Sequence, residues 1–153
     1  MKKLHKCLKK RGYVRIPLYP VPIPEHISHH YLVKVKLNGK KGFFMIDTGA
    51  STSVLNIRLA GKYKVKPLSS QPEIMAYGAS DVPLDVAFTE PVKKLRIGRW
   101  QIKKLPMILM DISHLEEHLD GFEIQGIIGS DILMLGEAIL DYAHHSLYLK
   151  SKS

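Results

Sequence analysis

The chain has one cysteine, Cys7, among 153 residues. No intrachain disulfide is possible, so nothing in the sequence marks an oxidising compartment. Long apolar runs are also missing. The N-terminus lacks the apolar core of a secretory signal. The most apolar late stretch, GIIGSDILMLGEAIL (126–140), is broken by Asp131 and Glu137 and is too short to span a bilayer. These absences exclude a disulfide scaffold and a membrane span, and they lead to the expectation of a soluble, cytoplasmic protein. Internal repeats and low-complexity blocks are missing too.

Acidic residues are absent from the first fifteen positions, MKKLHKCLKKRGYVR, which hold seven of the 23 Lys and Arg. The other 138 residues carry 16 basic and 14 acidic side chains. The formal charge of +9 is therefore concentrated in one tail, read here as a solvated arm. No nucleic-acid motif accompanies it, and no nucleic-acid partner is expected. The next stretch, RIPLYPVPIPE (15–25), holds four prolines, which cannot donate backbone hydrogen bonds, and reads as an extended connector.

What remains has ordinary globular composition, 45% hydrophobic and 24% charged. The organisation expected is a basic, proline-rich arm over 1–28, one folded domain over 29–150 and a short tail at 151–153. Tyr31, Val33, Val35 and Leu37 alternate with Leu32, Lys34 and Lys36, mostly a strand period. Asn38-Gly39 is a hairpin signal, because both residues tolerate positive φ. The strand from Gly42 to Ile46 is apolar on both faces and should be central. Asn56 is expected to cap a short helix reaching about Gly61, and a second helical piece is placed near 113–119, with Ser113 and Glu116 as a capping box. Short segments with turn signals follow to the end, which describes a mostly β barrel or sandwich with one or two short helices.

The stretch GFFMIDTGASTSVLN (42–56) carries the chemistry. A carboxylate, Asp47, ends an apolar strand, and a buried charge is costly unless it is paired, hydrogen-bonded or used. Read alone, Asp47 is a strand-end acid bonding its own turn. Some seventy-five residues later comes Ile127-Ile128-Gly129, an apolar pair and a glycine before a short helix, with Asp131 as a first-turn acid.

Together, Met45-Ile46-Asp47-Thr48-Gly49-Ala50-Ser51 and Ile127-Ile128-Gly129 resemble the two motifs of the retropepsin-like aspartic proteases, over about residues 29–150. The resemblance implies a single-domain acid-protease barrel acting as a homodimer on a peptide or protein substrate, without a cofactor. Asp47 of each subunit would meet on the two-fold axis. Two carboxyl groups so close share one proton and titrate as a unit. One acts as general base on water and the other protonates the substrate. Gly49 would let the backbone approach, Thr48 would reach the partner's loop, and Gly129 would allow close packing. A flap is implied near 75–85, with Tyr77, Gly78, Ala79 and Ser80 at its tip, and a closing hairpin near 138–149.

Two other readings compete. The same fold could be a catalytically silent dimeric module that grips an extended peptide. The run HLEEH (114–118) matches an inverted zinc-hydrolase signature that would use His114, Glu117 and His118, with the two histidines facing one metal. Its context favours a surface turn, and no metal is expected.

Overall fold

The computed structural model describes residues 2–22, 29–71, 76–77, 83–84, 86–119 and 121–152. It opens on a helix, α1 (Lys2–Lys10), followed by strands β1 (Tyr13–Pro17) and β2 (Tyr19–Pro22). The basic segment is thus folded, where an extended arm was expected. Two features explain the difference. The helix buries Leu8 and ends on Lys9 and Lys10, cations placed favourably at its negative end. The prolines sit on strands that pair along one side only, where a missing N–H costs nothing. β1 is an edge strand, and β2 pairs with a single neighbour.

The long hairpin follows as read: β3 (His29–Leu37) and β4 (Lys40–Ile46), joined by Asn38 (φ 48°) and Gly39 (φ 86°). β5 (Val54–Asn56) leads into a 3-10 turn over 57–59, whose Arg58 amide is capped by the Asn56 side chain. Next come the short pair β6 (Ala76–Tyr77) and β7 (Pro83–Leu84), then β8 (Ala87–Phe88) and the hairpin β9 (Val92–Ile97) to β10 (Trp100–Leu105). The chain continues through β11 (Ile108–Met110), α2 (Leu115–His118), β12 (Gly126–Ile128) and α3 (Ser130–Leu135), and closes on the hairpin β13 (Ile139–Asp141) to β14 (Ser146–Lys150). Among the described residues there are three short α-helices where one or two were expected; α1 is the addition.

Nine strands form the main sheet in the order β10-β9-β3-β4-β12-β5-β11-β8, with β2 beside β3. β14 lies between β1 and β13 in a second, three-stranded sheet. β4 is central, as its two apolar faces require. Phe44 enters the main core with Val33, Val35, Leu37, Leu95, Ile97 and Trp100, while Met45 joins a second cluster with Leu32, Val54, Ile112 and Ile127. Trp100 also donates its indole N–H to the Lys150 carbonyl (3.1 Å), tying the β9–β10 hairpin to β14. The Ser113–Glu116 capping box does not form. α2 is one turn, His114 is its N-cap without a side-chain bond, and the Ser113 hydroxyl accepts from Asn56 instead. No helix among the described residues is long and apolar enough to cross a membrane.

Candidate active site

Strand order explains why a carboxylate ends a buried strand. β12 inserts between β4 and β5, parallel to β4 (Ile127↔Met45, Ile128↔Ile46) and antiparallel to β5 (Ile127↔Val54). The loop from Asp47 to Ser53 must therefore cross the end of β12. That crossing leaves no room for side-chain bulk just past the end of β12, at Gly129. At the start of β12, a Cβ on Gly126 would run into the Val54 carbonyl oxygen and overlap the Phe44 ring. One on Gly129 would lie 2.7 Å from the Ala50 carbonyl oxygen and 3.1 Å from the Thr52 backbone. Both are far inside contact distance, so both positions require glycine.

The loop is then strapped down. The Asp47 amide donates to the Ile128 carbonyl (3.0 Å) and the Ser130 amide to the Ala50 carbonyl (2.7 Å). Asp47 is half-buried, and its Oδ1 accepts from the Gly49 amide at 2.9 Å. A Cβ on Gly49 would stand 3.3 Å from that same oxygen, so the residue leaves the carboxylate uncrowded. Thr48 and Ser51 are exposed, and Ala50 is half-buried against the second cluster. Ile127 and Ile128 are buried and point to opposite cores, as adjacent strand residues must. The strand end thus presents a carboxylate toward solvent from a rigid base.

Sequence reasoning missed one part of this base. Asp131 does accept from the adjacent Ile132 amide in the first turn of α3 (2.8 Å). It also accepts from the Ser53 amide (3.0 Å) and the Ser53 hydroxyl (2.7 Å). That hydroxyl in turn accepts from the Gly129 amide (2.9 Å). Ser53 is fully buried, so these bonds replace the water that its amide and hydroxyl have lost. The available signal was the last hydroxyl residue of Ser51-Thr52-Ser53, six residues after Asp47 and leading into the apolar pair Val54-Leu55.

The implied flap is only partly described. β6 and β7 pair antiparallel (Ala76↔Leu84, Tyr77↔Pro83), which places Tyr77 in a hairpin strand. Gly78, Ala79 and Ser80 lie outside the described residues. The rival zinc residues sit on the single turn of α2: His114 caps it, Glu117 is exposed and His118 is its last residue. Among the described residues, no three His, Cys, Asp or Glu side chains come together as a metal site.

Comparison with known proteins agrees with this geometry. A family model described as aspartyl protease matches residues 33–132, well over half of the chain, and the chain belongs to that family. No curated protein matches the sequence. Among solved structures, a retropepsin-like aspartic protease from Rickettsia conorii is similar over 92% of this chain and 91% of its own, with a TM-score of 0.60 at 19% identity. The EIAV protease in complex with the inhibitor HBY-793 is similar over 73% and 92%, with a TM-score of 0.52 at 21% identity. The retroviral protease-like domain of Ddi1 from Leishmania major is similar over 77% and 84%, with a TM-score of 0.51 at 15% identity. These likenesses show the retropepsin fold.

Proposed function

From membership of the aspartyl protease family, we propose that this chain is an aspartic endopeptidase that works as a homodimer. The observation that carries the proposal is Asp47: half-buried, at the end of a central strand, on a loop held to β12 and α3 from both sides. Each chain supplies one such carboxylate, and the chemistry needs two. In the dimer the two Asp47 groups share a proton. The ionised member takes a proton from a bound water as that water attacks the scissile carbonyl, and the protonated member donates to the carbonyl oxygen. The newly protonated member then gives its proton to the departing amine as the C–N bond breaks, while the other takes a proton from the gem-diol, which restores the dyad. Gly49 leaves room for this exchange, and the exposed Thr48 hydroxyl is free to bond the partner's loop.

Exposed apolar side chains support a second copy as the partner. Met134 (79% exposed), Ile139 (37%) and Tyr142 (66%) all follow the segment that straps the Asp47 loop. β13, which contains Ile139, is also an open sheet edge. The β6–β7 hairpin would cover an extended peptide substrate from above, as a flap. The silent binding module is the weaker reading, because a pure peptide clamp has no use for two carboxylates driven together.

The test is cleavage of a diverse peptide mixture from acidic to neutral pH, by wild type and Asp47→Asn purified alike, each with and without a chelator. Wild type should cut, with a bell-shaped pH dependence, and the mutant should lose at least about a hundred- to ten-thousandfold in rate. The chelator should change nothing. Equal cleavage by the mutant would remove the mechanism. Loss of wild-type activity in chelator would favour a metal.

A further inference from the structure

Charge along the chain conceals a segregation in space. Strands β3, β4, β9 and β10 lie side by side and hold nine Lys or Arg and no Asp or Glu. Register then sets like charges directly opposite one another. Lys36 faces Lys41 on one side and Arg96 on the other, and Lys94 faces Lys103. Directly opposed like charges destabilise a sheet. The ion pairs among the described residues, Arg58–Asp111, Asp141–His144 and Lys150–Glu137, relieve none of these. The fold keeps a repulsive arrangement that any of several neutral residues would remove.

Six of these nine cations line two concavities, joined there by Lys62, Lys64 and Lys66. One groove, about 530 Å³, is lined by Lys34, Lys36, Lys41, Lys62 and Arg96, with the Phe43 ring among them. The other, about 820 Å³, carries Lys64, Lys66, Lys93 and Lys94 against a single acid, Glu90. Phe43 continues into an aromatic row, meeting Tyr19 at 5.7 Å and Phe122 at 5.8 Å between ring centroids. Tyr19 and Phe122 are exposed, and Lys34 lies over the Tyr19 ring (5.2 Å).

We propose that this basic, aromatic-edged face binds single-stranded nucleic acid. Its chemistry matches a polymer with one negative charge per unit and a flat face to stack. Lysines bind phosphate as point charges. Two cationic grooves, one of them reaching the Asn38–Gly39 turn, fit a flexible strand. A flat bilayer does not reach into concavities, and none of the exposed large apolar side chains lines either groove. An acidic peptide would satisfy the cations but would leave the aromatic row without a partner. Lys41, at the hairpin end of β4, is about 20 Å from Asp47 along an extended strand. The expectation of no nucleic-acid partner came from charge averaged over the body of the chain, which the sheet register separates.

The test is fluorescence anisotropy of a labelled 15-nucleotide oligo-dT with the full chain, between 25 and 200 mM KCl. Wild type should bind, and affinity should fall steeply with salt. Lys36→Gln/Lys41→Gln/Arg96→Gln should bind at least about tenfold more weakly and reduce the log–log salt slope by about 2, since each lost phosphate contact removes about 0.7. Circular dichroism checks that the variant is folded. No binding by wild type at 25 mM salt overturns the proposal. So does unchanged binding by the triple variant, or a loss seen only with Lys2→Gln/Lys3→Gln/Lys6→Gln in α1. Equal affinity for a 15-residue poly-Glu peptide, or for vesicles of anionic phospholipid, assigns the face to those partners and overturns it as well.

Discussion

Asp131→Asn tests how the active-site loop is held. The carboxylate accepts three hydrogen bonds: Ser53 N–H to Oδ2, and Ser53 O–H and Ile132 N–H to Oδ1. Asparagine keeps the shape but replaces one acceptor by an NH₂ group. Whichever way it turns, a donor meets a donor. At least one bond to a charged acceptor is lost, about 1.5–3 kcal/mol. Asp131→Ala costs more: both the amide and the hydroxyl of buried Ser53 lose their acceptor, at about 1–3 kcal/mol each. Urea unfolding at fixed protein concentration reads the change, since stability of a dimer depends on concentration. With a slope near 2 kcal/mol/M, Asp131→Asn should lower the midpoint by about 1 M. Activity should fall further than stability explains, because Ser53 also fixes the Gly129 amide, and Gly129 packs on the loop carrying Asp47. A misplacement near 1 Å can cost about a hundredfold in rate. The reasoning fails if Asp131→Asn keeps its midpoint within about 0.2 M and its full kcat/KM.

Gly129→Ala puts a Cβ 2.7 Å from the Ala50 carbonyl oxygen. It should destabilise by about 1–3 kcal/mol, read by thermal or urea unfolding, and should remove most turnover because the displaced backbone carries Asp47. Lys36→Gln relieves cross-strand repulsion with Lys41 and Arg96. It should raise stability by about 0.2–1 kcal/mol at low salt, and the gain should shrink as salt is added; a loss of stability would contradict the charge argument.

Much of the fold was legible because its signals are local. The alternation at Val33, Val35 and Leu37, the Asn38-Gly39 turn and the two-sided apolar run before Asp47 each fix an element without knowledge of the rest. The two motifs located the loop and the strand that crosses it. What was not legible depends on pairing between distant segments. The prolines at 17, 20 and 22 argued for a connector because a lone stretch with few donors cannot form a sheet. They became edge strands once β14 and β3 supplied partners on one side. Asp131 read as a helix-end acid because its bonds to Ser53 span 78 residues. The basic face was invisible for the same reason, since Lys36, Lys41 and Arg96 meet only through register. Ser113 and Glu116 read as a capping box, but the turn they would open starts at Leu115, with His114 as its N-cap.

The measurement that bears most directly on the central claim is a subunit-mixing titration. Wild type is mixed with Asp47→Asn at constant total concentration, allowed to exchange, and assayed on a peptide cut by wild type. If two Asp47 carboxylates act as one dyad, a mixed dimer is inactive. An equal mixture should then retain about a quarter of the wild-type activity, falling with the square of the wild-type fraction. A linear fall to about half, with exchange of subunits verified, would mean that each chain works alone and would contradict the shared dyad.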